Sequence, residues 1–160
     1  MTQIAIFPGT FDPITKGHED LIARASGIFS EVIVAIAENA VKKPLFSLDQ
    51  RISMSRKVLQ QHKNVKVFGF SNLLVDFARE HKAEIIIRGV RIAADFEYEL
   101  QLANMNRNLY EKLETIFLIP SENYSYISST LVKEIAKLNG DVTHFVNADV
   151  AQSLQEIAWP

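Results

Sequence analysis

The stretch Ile4-Ala5-Ile6-Phe7-Pro8-Gly9-Thr10-Phe11-Asp12-Pro13-Ile14-Thr15-Lys16-Gly17-His18 decides the fold. A short apolar run ends in a turn that contains Gly9, and a second turn of small residues precedes His18. An amphipathic segment follows, because Leu21, Ile22, Ala25 and Ile28 recur at helical spacing. The pattern predicts a strand, a loop and a helix, with the loop at the carboxyl end of the strand. Ligands of open α/β sheets bind at that end, and helix amino-termini there favour phosphate.

The composition is that of an ordinary globular protein. The chain has 160 residues, of which 48% are hydrophobic and 22% charged, so we expect a single domain over residues 1–160. The formal net charge of -2 argues against a general nucleic-acid or membrane-surface partner. The absence of cysteine excludes disulfides and thiolate metal sites and fits a reducing compartment. We see no signal peptide and no apolar stretch near ~20 residues, so a cytoplasmic protein without membrane contact is expected.

Apolar runs and helical patterns alternate along the rest of the chain. We predict further strands at 32–37, 65–70, 84–89 and 115–119. Helices are predicted from the Ser47 cap to about 63–64, and at 73–81, 93–110, 131–138 and about 147–157. Strands that alternate with helices give a parallel sheet with helices on both faces. The fold class is therefore α/β, a single Rossmann-like domain with a five-stranded parallel sheet.

Thr10 and His18 are the first candidate site residues. Both could donate hydrogen bonds to phosphate oxygens, and Gly9 and Gly17 permit close approach of the backbone. The alternative is that Thr10 only makes a turn and that His18 only occupies the first turn of a helix. The loop lacks both the Gly-x-Gly-x-x-Gly dinucleotide fingerprint and the Gly-Lys-Ser/Thr motif of the P-loop. A standard dinucleotide-binding dehydrogenase and a P-loop kinase are therefore disfavoured.

Cationic residues follow the second and fourth predicted strands. Lys42 and Lys43 lie in a loop, where a lysine pair is usually only solvated, but their loop is at the same sheet edge as Thr10. Arg88 ends an apolar strand and is followed by Gly89 and Arg91. A charge beside a buried strand needs a partner or a ligand, and arginine matches phosphate geometry.

Three hydroxyl side chains, Ser128-Ser129-Thr130, open the last large helix. One of them is enough for an N-cap, so the three, together with free helix N–H groups, could form a second phosphate site. Lys133, one turn further on, could reach the same anion. A site of this kind, without an obvious nucleophile, is suited to polyphosphate, because phosphoryl and nucleotidyl transfers need mainly positioning and charge neutralisation.

These residues resemble those of a known family. Gly9 to Pro13 with Thr15-Lys16-Gly17-His18 is similar to the T/HxGH signature of nucleotidylyltransferases, and Ile127 to Thr130 resembles their second signature. Further similarity is to the bacterial phosphopantetheine adenylyltransferases, and it extends over nearly the whole chain. It rests on Lys42-Lys43-Pro44 and on the segments 88–91, 95–99, 124–133 and 140–145.

The resemblance implies a reaction and an assembly. ATP and 4'-phosphopantetheine would give dephospho-coenzyme A and pyrophosphate, in coenzyme A biosynthesis, in a cytoplasmic homohexamer that uses Mg²⁺. The Mg²⁺ would be held mainly by phosphates and water, with no residue as a metal ligand. The acceptor phosphate is itself the nucleophile and is already ionised, so we expect direct in-line attack on the α-phosphate.

The resemblance also implies site residues. Those that contact 4'-phosphopantetheine would be Thr10, Lys42, Leu74 and Arg88. Those that contact ATP would be Gly9, Thr10, Phe11, His18, Gly89, Val90, Arg91, Glu99, Tyr124, Ser125, Tyr126, Ile127, Ser128, Ser129 and Thr130. The catalytic set would be His18, Lys42, Arg91 and Thr10, with His18 stabilising the transition state. Relatives often carry methionine in place of Leu74 and tryptophan in place of Tyr124.

Two other functions stay open. A cytidylyltransferase or a nicotinate mononucleotide adenylyltransferase is the nearer one, although a typical cytidylyltransferase has histidine where this chain has Thr15. A non-catalytic nucleotide sensor is the second. His18, Lys42 and Arg91 count against it, since a pure binder has no need of groups that stabilise a transition state.

Overall fold

Five parallel strands form one sheet in the computed structural model, which describes residues 3–159 apart from the side chains of Ala40 and Ala94. The strands are β1 (Ile4–Gly9), β2 (Glu31–Ala37), β3 (Val65–Phe70), β4 (Ile85–Gly89) and β5 (Glu114–Leu118). Their spatial order is β3-β2-β1-β4-β5, and every neighbouring pair is parallel. The predicted fold class, an α/β sheet of five parallel strands, is confirmed.

Six α-helices connect and follow the strands within the described residues. They are α1 (Lys16–Ile28), α2 (Leu48–Leu59), α3 (Leu74–Glu80), α4 (Ala93–Leu109), α5 (Ser129–Lys137) and α6 (Ala148–Gln155). Short 3-10 turns occur at Ala40–Lys42 and Glu122–Tyr124. No helix in residues 3–159 combines the length and the apolar character that crossing a bilayer requires.

The prediction was wrong about the end of α2. The helix stops at Leu59, whereas the sequence pattern placed its end near 63–64. The side-chain amide of Asn64 donates to the carbonyl oxygens of Ser26 and Phe29, at 2.8 and 3.1 Å. These bonds tie the chain to the end of α1 and lead it out of the helix before β3 begins.

Alternate side chains of the central strands enter two different hydrophobic cores. Ala5 and Phe7 of β1 belong to the larger core, and Ile6 between them belongs to the smaller one. Helices α1, α2, α5 and α6 contribute to the larger core, and α3 covers the smaller one. The sheet is thus buried on both faces, which explains why β1 and β2 are almost continuously apolar.

Candidate active site

A cavity lies at the carboxyl ends of β1 and β4, the two strands from which the chain diverges to opposite sides of the sheet. Its volume is about 330 Å³. In open α/β sheets such a divergence leaves a crevice where ligands bind. The amino-terminal ends of α1 and α5, through Gly17 and Ser129, also line the cavity, so two helix N-termini face the same space.

Most of the residues predicted for the site line this cavity. They are Gly9, Phe11, His18, Arg88, Gly89, Arg91, Glu99, Tyr124, Ile127, Ser128, Ser129 and Thr130. The other predicted residues lie outside its lining: Thr10, Lys42, Leu74, Val90, Ser125 and Tyr126. Most residues that the sequence assigned to one sheet edge thus meet in one cavity, and the functional roles of the individual residues stay predictions.

His18 has a structural task at the start of α1. The backbone N–H of Thr15 donates to Nδ1 of His18 at 3.0 Å, and Oγ1 of Thr15 accepts from the N–H of His18 at 3.4 Å. The two residues form a capping box in which histidine takes the position that glutamate or glutamine usually has. His18 is thus a residue of the first helical turn and also lines the cavity, so the structural and the phosphate-binding interpretations of His18 are compatible.

The capping bond determines which ring nitrogen of His18 carries the proton. Because Nδ1 accepts the Thr15 N–H, the proton of the neutral imidazole is on Nε2, and this nitrogen can donate. Burial, together with the positive charges of Arg91 and Arg88, lowers the pKa of His18 to about 4. The ring of Phe11 lies 4.8 Å from that of His18, centroid to centroid. His18 is therefore a neutral, oriented hydrogen-bond donor at neutral pH.

Arg88 and Glu99 form an ion pair on the cavity wall. Nε and Nη2 of Arg88 donate to the two carboxylate oxygens of Glu99, each at 2.6 Å, and Nη1 donates to the carbonyl oxygen of Pro8 at 2.9 Å. Glu99 is the acidic residue of α4 that is buried. The partner that the sequence required for Arg88 is thus a carboxylate of the next helix, which orients the guanidinium toward β1.

Arg91 is held more loosely than Arg88. Its Nε lies 3.3 Å from Oδ2 of Asp95, in the first turn of α4, and its Nη1 donates to the carbonyl oxygen of Ile127 at 3.4 Å. The side chain retains 40% of its exposure. An arginine with long hydrogen bonds and this exposure can turn toward an anion in the cavity.

The hydroxyl groups at the start of α5 have different partners. Ser128 is the N-cap and accepts from the N–H of Leu131, and Ser129 donates to the carbonyl oxygen of Pro13 at 2.8 Å. Thr130 is exposed. The prediction that Lys133 serves the same anion was wrong: its Nζ lies 2.5 Å from Oδ2 of Asp12, a buried carboxylate that holds the lysine away.

The predicted acceptor contacts lie beside the cavity. Thr10 is half-buried, and its Oγ1 accepts from the side-chain amide of Asn39 at 3.4 Å. Lys42 is exposed at the end of the 3-10 turn after β2, and Leu74 is the first residue of α3. These three residues follow the ends of β1, β2 and β3 in turn, so they extend along the same sheet edge as the cavity.

Two site-shaping residues were missed by sequence reasoning. Arg51 is 2% exposed, and its guanidinium donates to backbone carbonyls only; Asp12 is 4% exposed and accepts from two backbone N–H groups. One signal was present, because Arg51 lies seven residues before Val58 and so falls on the apolar stripe of α2. A charged residue on such a stripe needs buried partners.

The donor groups of the cavity also bear on metal binding. Within residues 3–159, apart from the two undescribed side chains, no cluster of three or more histidine, aspartate or glutamate side chains has the arrangement to hold a metal ion. The two carboxylates that line the cavity, Asp95 and Glu99, each pair with an arginine.

Comparisons with known proteins agree with one another. The family model described as cytidylyltransferase-like matches residues 6–135. A phosphopantetheine adenylyltransferase from Nitrosomonas eutropha is 58% identical over 151 residues, which are 94% of this chain and 92% of the relative. A solved structure from Vibrio parahaemolyticus, assigned as a nicotinate-nucleotide adenylyltransferase, superposes with a TM-score of 0.73 at 16% identity, covering 98% of this chain and all of the other.

A Plasmodium falciparum nicotinic acid mononucleotide adenylyltransferase, solved with the ligand APC, has a TM-score of 0.69 at 16% identity. It covers 98% of this chain and 96% of its own. Identities this low show a shared fold and no more, whereas the relative at 58% identity shows the family.

Proposed function

Because this chain belongs to the cytidylyltransferase-like family, and within it to the phosphopantetheine adenylyltransferases, we propose that it transfers the adenylyl group of ATP to 4'-phosphopantetheine. The products are dephospho-coenzyme A and pyrophosphate, and the step belongs to coenzyme A biosynthesis. The observation that carries the proposal is 58% identity over 94% of the chain. The cavity supports it, because it joins a neutral histidine donor, two arginines and two helix N-termini.

The reaction requires positioning more than proton transfer. The phosphate of the acceptor attacks the α-phosphorus of ATP, a new P–O bond forms, and the bond to the β-phosphate breaks so that pyrophosphate leaves. The attacking phosphate monoester is ionised at neutral pH, since its second pKa is about 6. No protein base is needed, and the enzyme acts by holding the two substrates in line and stabilising charge.

His18 is suited to stabilise the transition state. Its neutral ring donates through Nε2, and the capping bond at Nδ1 fixes the ring before substrate binds. A fixed donor needs no reorganisation during the reaction, which is the source of its catalytic value. In this proposal Arg91 and Lys42 add positive charge, and the loose bonds of Arg91 leave it free to move toward a phosphate.

The two substrates occupy different parts of the sheet edge in this proposal. The ATP phosphates lie on the N-termini of α1 and α5, and most of the residues assigned to ATP by resemblance line this cavity. The acceptor lies toward β2 and β3, beside Thr10, Lys42 and Leu74. Arg88 stands between the two regions, at the end of β4 next to β1.

Mg²⁺ is proposed as the cofactor. When bound to ATP it neutralises phosphate charge and so makes pyrophosphate a better leaving group. The donor set fits an ion held by phosphates and water, because both cavity carboxylates are already paired with arginines.

We also propose that the protein is a cytoplasmic homohexamer. The number six comes from the resemblance, and exposed apolar side chains on α4 and β5 support assembly of some kind. Phe96, Tyr98, Leu100, Met105 and Leu109 of α4 and Ile116 of β5 are all at least 37% exposed. Analytical ultracentrifugation measures the assembly state directly.

One assay separates this function from the nearer alternatives. Pyrophosphate release is measured with ATP or CTP against a panel of phosphorylated acceptors that includes 4'-phosphopantetheine and nicotinate mononucleotide. Release with ATP and 4'-phosphopantetheine only is the expected result. Release with CTP, or with the mononucleotide, would instead favour the cytidylyltransferase or the mononucleotide adenylyltransferase, and binding without release would indicate a sensor.

A further inference from the structure

Arg51 of α2 connects three backbone segments beneath the site. Its Nη1 donates to the carbonyl oxygens of Thr10 and Ala37 at 2.8 and 2.7 Å, and its Nη2 donates to that of Glu38 at 3.1 Å. Its Nε donates to the carbonyl oxygen of Phe46 at 3.0 Å. The side chain is 2% exposed, so a full charge is buried to make these four bonds. Such a burial is costly unless the bonds it makes are needed.

Asp12 makes the opposite set of contacts. Its carboxylate oxygens accept the N–H groups of Leu45 and Phe46, both at 2.9 Å, and the ammonium group of Lys133 at 2.5 Å. Like Arg51 it is buried, at 4% exposure. One residue thus binds backbone oxygens and the other backbone N–H groups, and both bind Phe46.

The segment between these contacts is residues 38–46, which we call the lysine loop because it carries Lys42. Arg51 holds its beginning at Glu38, and Arg51 and Asp12 together hold its end at Leu45 and Phe46. Inside the loop, Asn39 and Lys43 have φ angles of 48° and 44°. Non-glycine residues with positive φ are strained, and they persist where the surrounding structure determines them.

The same two side chains hold the first loop, residues 10–15. Arg51 bonds the carbonyl of Thr10, and Asp12 is itself a member of that loop. The distance between the lysine loop and the loop that leads to His18 is therefore set by Arg51 and Asp12. We infer that Arg51 and Asp12 are positioning residues that place Lys42 against the reacting phosphates, without touching substrate themselves. The inference rests on the proposed function.

A double-mutant cycle tests it. Arg51→Lys keeps the charge but cannot reach all the carbonyls, so we expect kcat to fall on the order of 10- to 100-fold, as for a misplaced catalytic group. If Arg51 acts through Lys42, the same change in a Lys42→Ala enzyme should lower kcat by less than about threefold. The KM for ATP should stay within about threefold in all four proteins, because neither Arg51 nor Lys42 lines the cavity assigned to ATP.

Arg56→Lys is the matched control. Arg56 is another arginine of α2 whose guanidinium donates to a strand carbonyl, that of Val67 in β3, and it does not line the cavity. This variant should leave kcat and both KM values unchanged.

The second cycle protects the test against misfolding. Asp12→Asn keeps the size of the side chain but replaces one acceptor oxygen by an NH₂ group, and its effect on kcat should likewise be small in the Lys42→Ala enzyme. Should Arg51→Lys fail to fold, this cycle decides the question. If each substitution lowers kcat by the same factor in the wild-type and in the Lys42→Ala enzyme, the inference is overturned. The proposed function still stands in that case, as long as the wild-type enzyme is active. A wild-type chain that releases no pyrophosphate overturns both.

Discussion

Glu99 neutralises Arg88 from the first half of α4: both oxygens of its carboxylate are within 2.6 Å of the guanidinium nitrogens. Arg88 is the more exposed partner, since its side chain retains 28% of its exposure and that of Glu99 retains 9%. A phosphate that approaches Arg88 therefore meets a cation whose orientation is already fixed and whose charge is partly compensated.

The first prediction concerns the stability that this pair provides. Arg88→Met and Glu99→Leu should each lower the free energy of unfolding by roughly 2–3 kcal/mol, because each leaves an unpaired charge at a largely buried place. The double variant should lose less than the sum of the two. Urea unfolding of all four proteins provides the cycle, and strictly additive losses would show that the two side chains do not interact.

Lys42 should contribute to acceptor binding more than to ATP binding. Lys42→Ala should weaken 4'-phosphopantetheine binding by roughly 1.5–3 kcal/mol, the value of a hydrogen bond to a charged group. Lys43→Ala is the control, since Lys43 is the next residue and is likewise exposed, but no contact with the acceptor is assigned to it. Titration calorimetry measures both affinities; unchanged acceptor affinity in folded Lys42→Ala would refute the assignment. Arg88→Lys should likewise weaken acceptor binding more than ATP binding. Lysine is chosen for this variant because Arg88→Ala would leave the carboxylate of Glu99 unpaired.

His18 should affect turnover far more than binding. His18→Ala and His18→Asn should each lower kcat on the order of 10²–10³-fold with little change in the KM for ATP, by analogy with the loss of one oxyanion-hole donor. Only the alanine variant should also lose about 1 kcal/mol of stability, because it removes the acceptor for the Thr15 N–H. The Oδ1 of asparagine can take the place of Nδ1 but leaves no donor at Nε2. Steady-state kinetics with thermal unfolding separates the two tasks, and a raised KM with normal kcat would make His18 a binding residue.

The lowered pKa of His18 predicts an acid-sensitive contribution to stability. The folded protein holds this imidazole neutral down to about pH 4, while its ordinary value is 6.5. Between these values the unfolded chain binds more protons, so the contribution is complete above pH 6.5 and is lost as the pH falls toward 4. The loss should be on the order of 2–3 kcal/mol. Urea unfolding from pH 7 to 4 should show a shallower decline for His18→Asn than for the wild type, and parallel curves would contradict the lowered pKa.

Transfer should be direct, with no adenylyl-enzyme intermediate. The acceptor phosphate is the nucleophile. In the described lining of the cavity, the hydroxyl beside an imidazole is Thr15 Oγ1, 3.1 Å from Nδ1 of His18, and this hydroxyl is buried as the N-cap of α1. ATP labelled at the α-phosphate is incubated with enzyme and Mg²⁺ in the absence of acceptor, and the protein is then denatured. Stoichiometric label retained on the protein would contradict direct transfer.

The sequence predicted the sheet and the edge that carries the cavity, because these follow from local patterns. The apolar runs of β1 and β2 and the glycines at 9 and 89 mark strand ends without any knowledge of the fold. Parallel strands place all those ends on one side, so Gly9, His18 and Arg88 had to be close.

The remaining contacts depend on long-range geometry. Lys133 and Asp12 are 121 residues apart, and nothing near either one predicts that they pair. The acceptors of Arg51 are backbone carbonyls, which every residue has, so no pattern of side chains could identify them. The start of the lysine loop was visible in the sequence, whereas its strained conformation at Asn39 and Lys43 was not.

Main-chain atoms, and no loop side chains, are what Arg51 and Asp12 recognise in the lysine loop. The amino-acid identities at Glu38, Leu45 and Phe46 are therefore irrelevant to those particular bonds. If the loop contacts the acceptor as proposed, its exposed side chains other than Lys42 can be exchanged to change which phosphorylated acceptor is used, while Arg51 and Asp12 keep the backbone of the loop in place. Variant libraries for altered acceptor choice should therefore vary the exposed loop side chains and leave Arg51 and Asp12 unchanged.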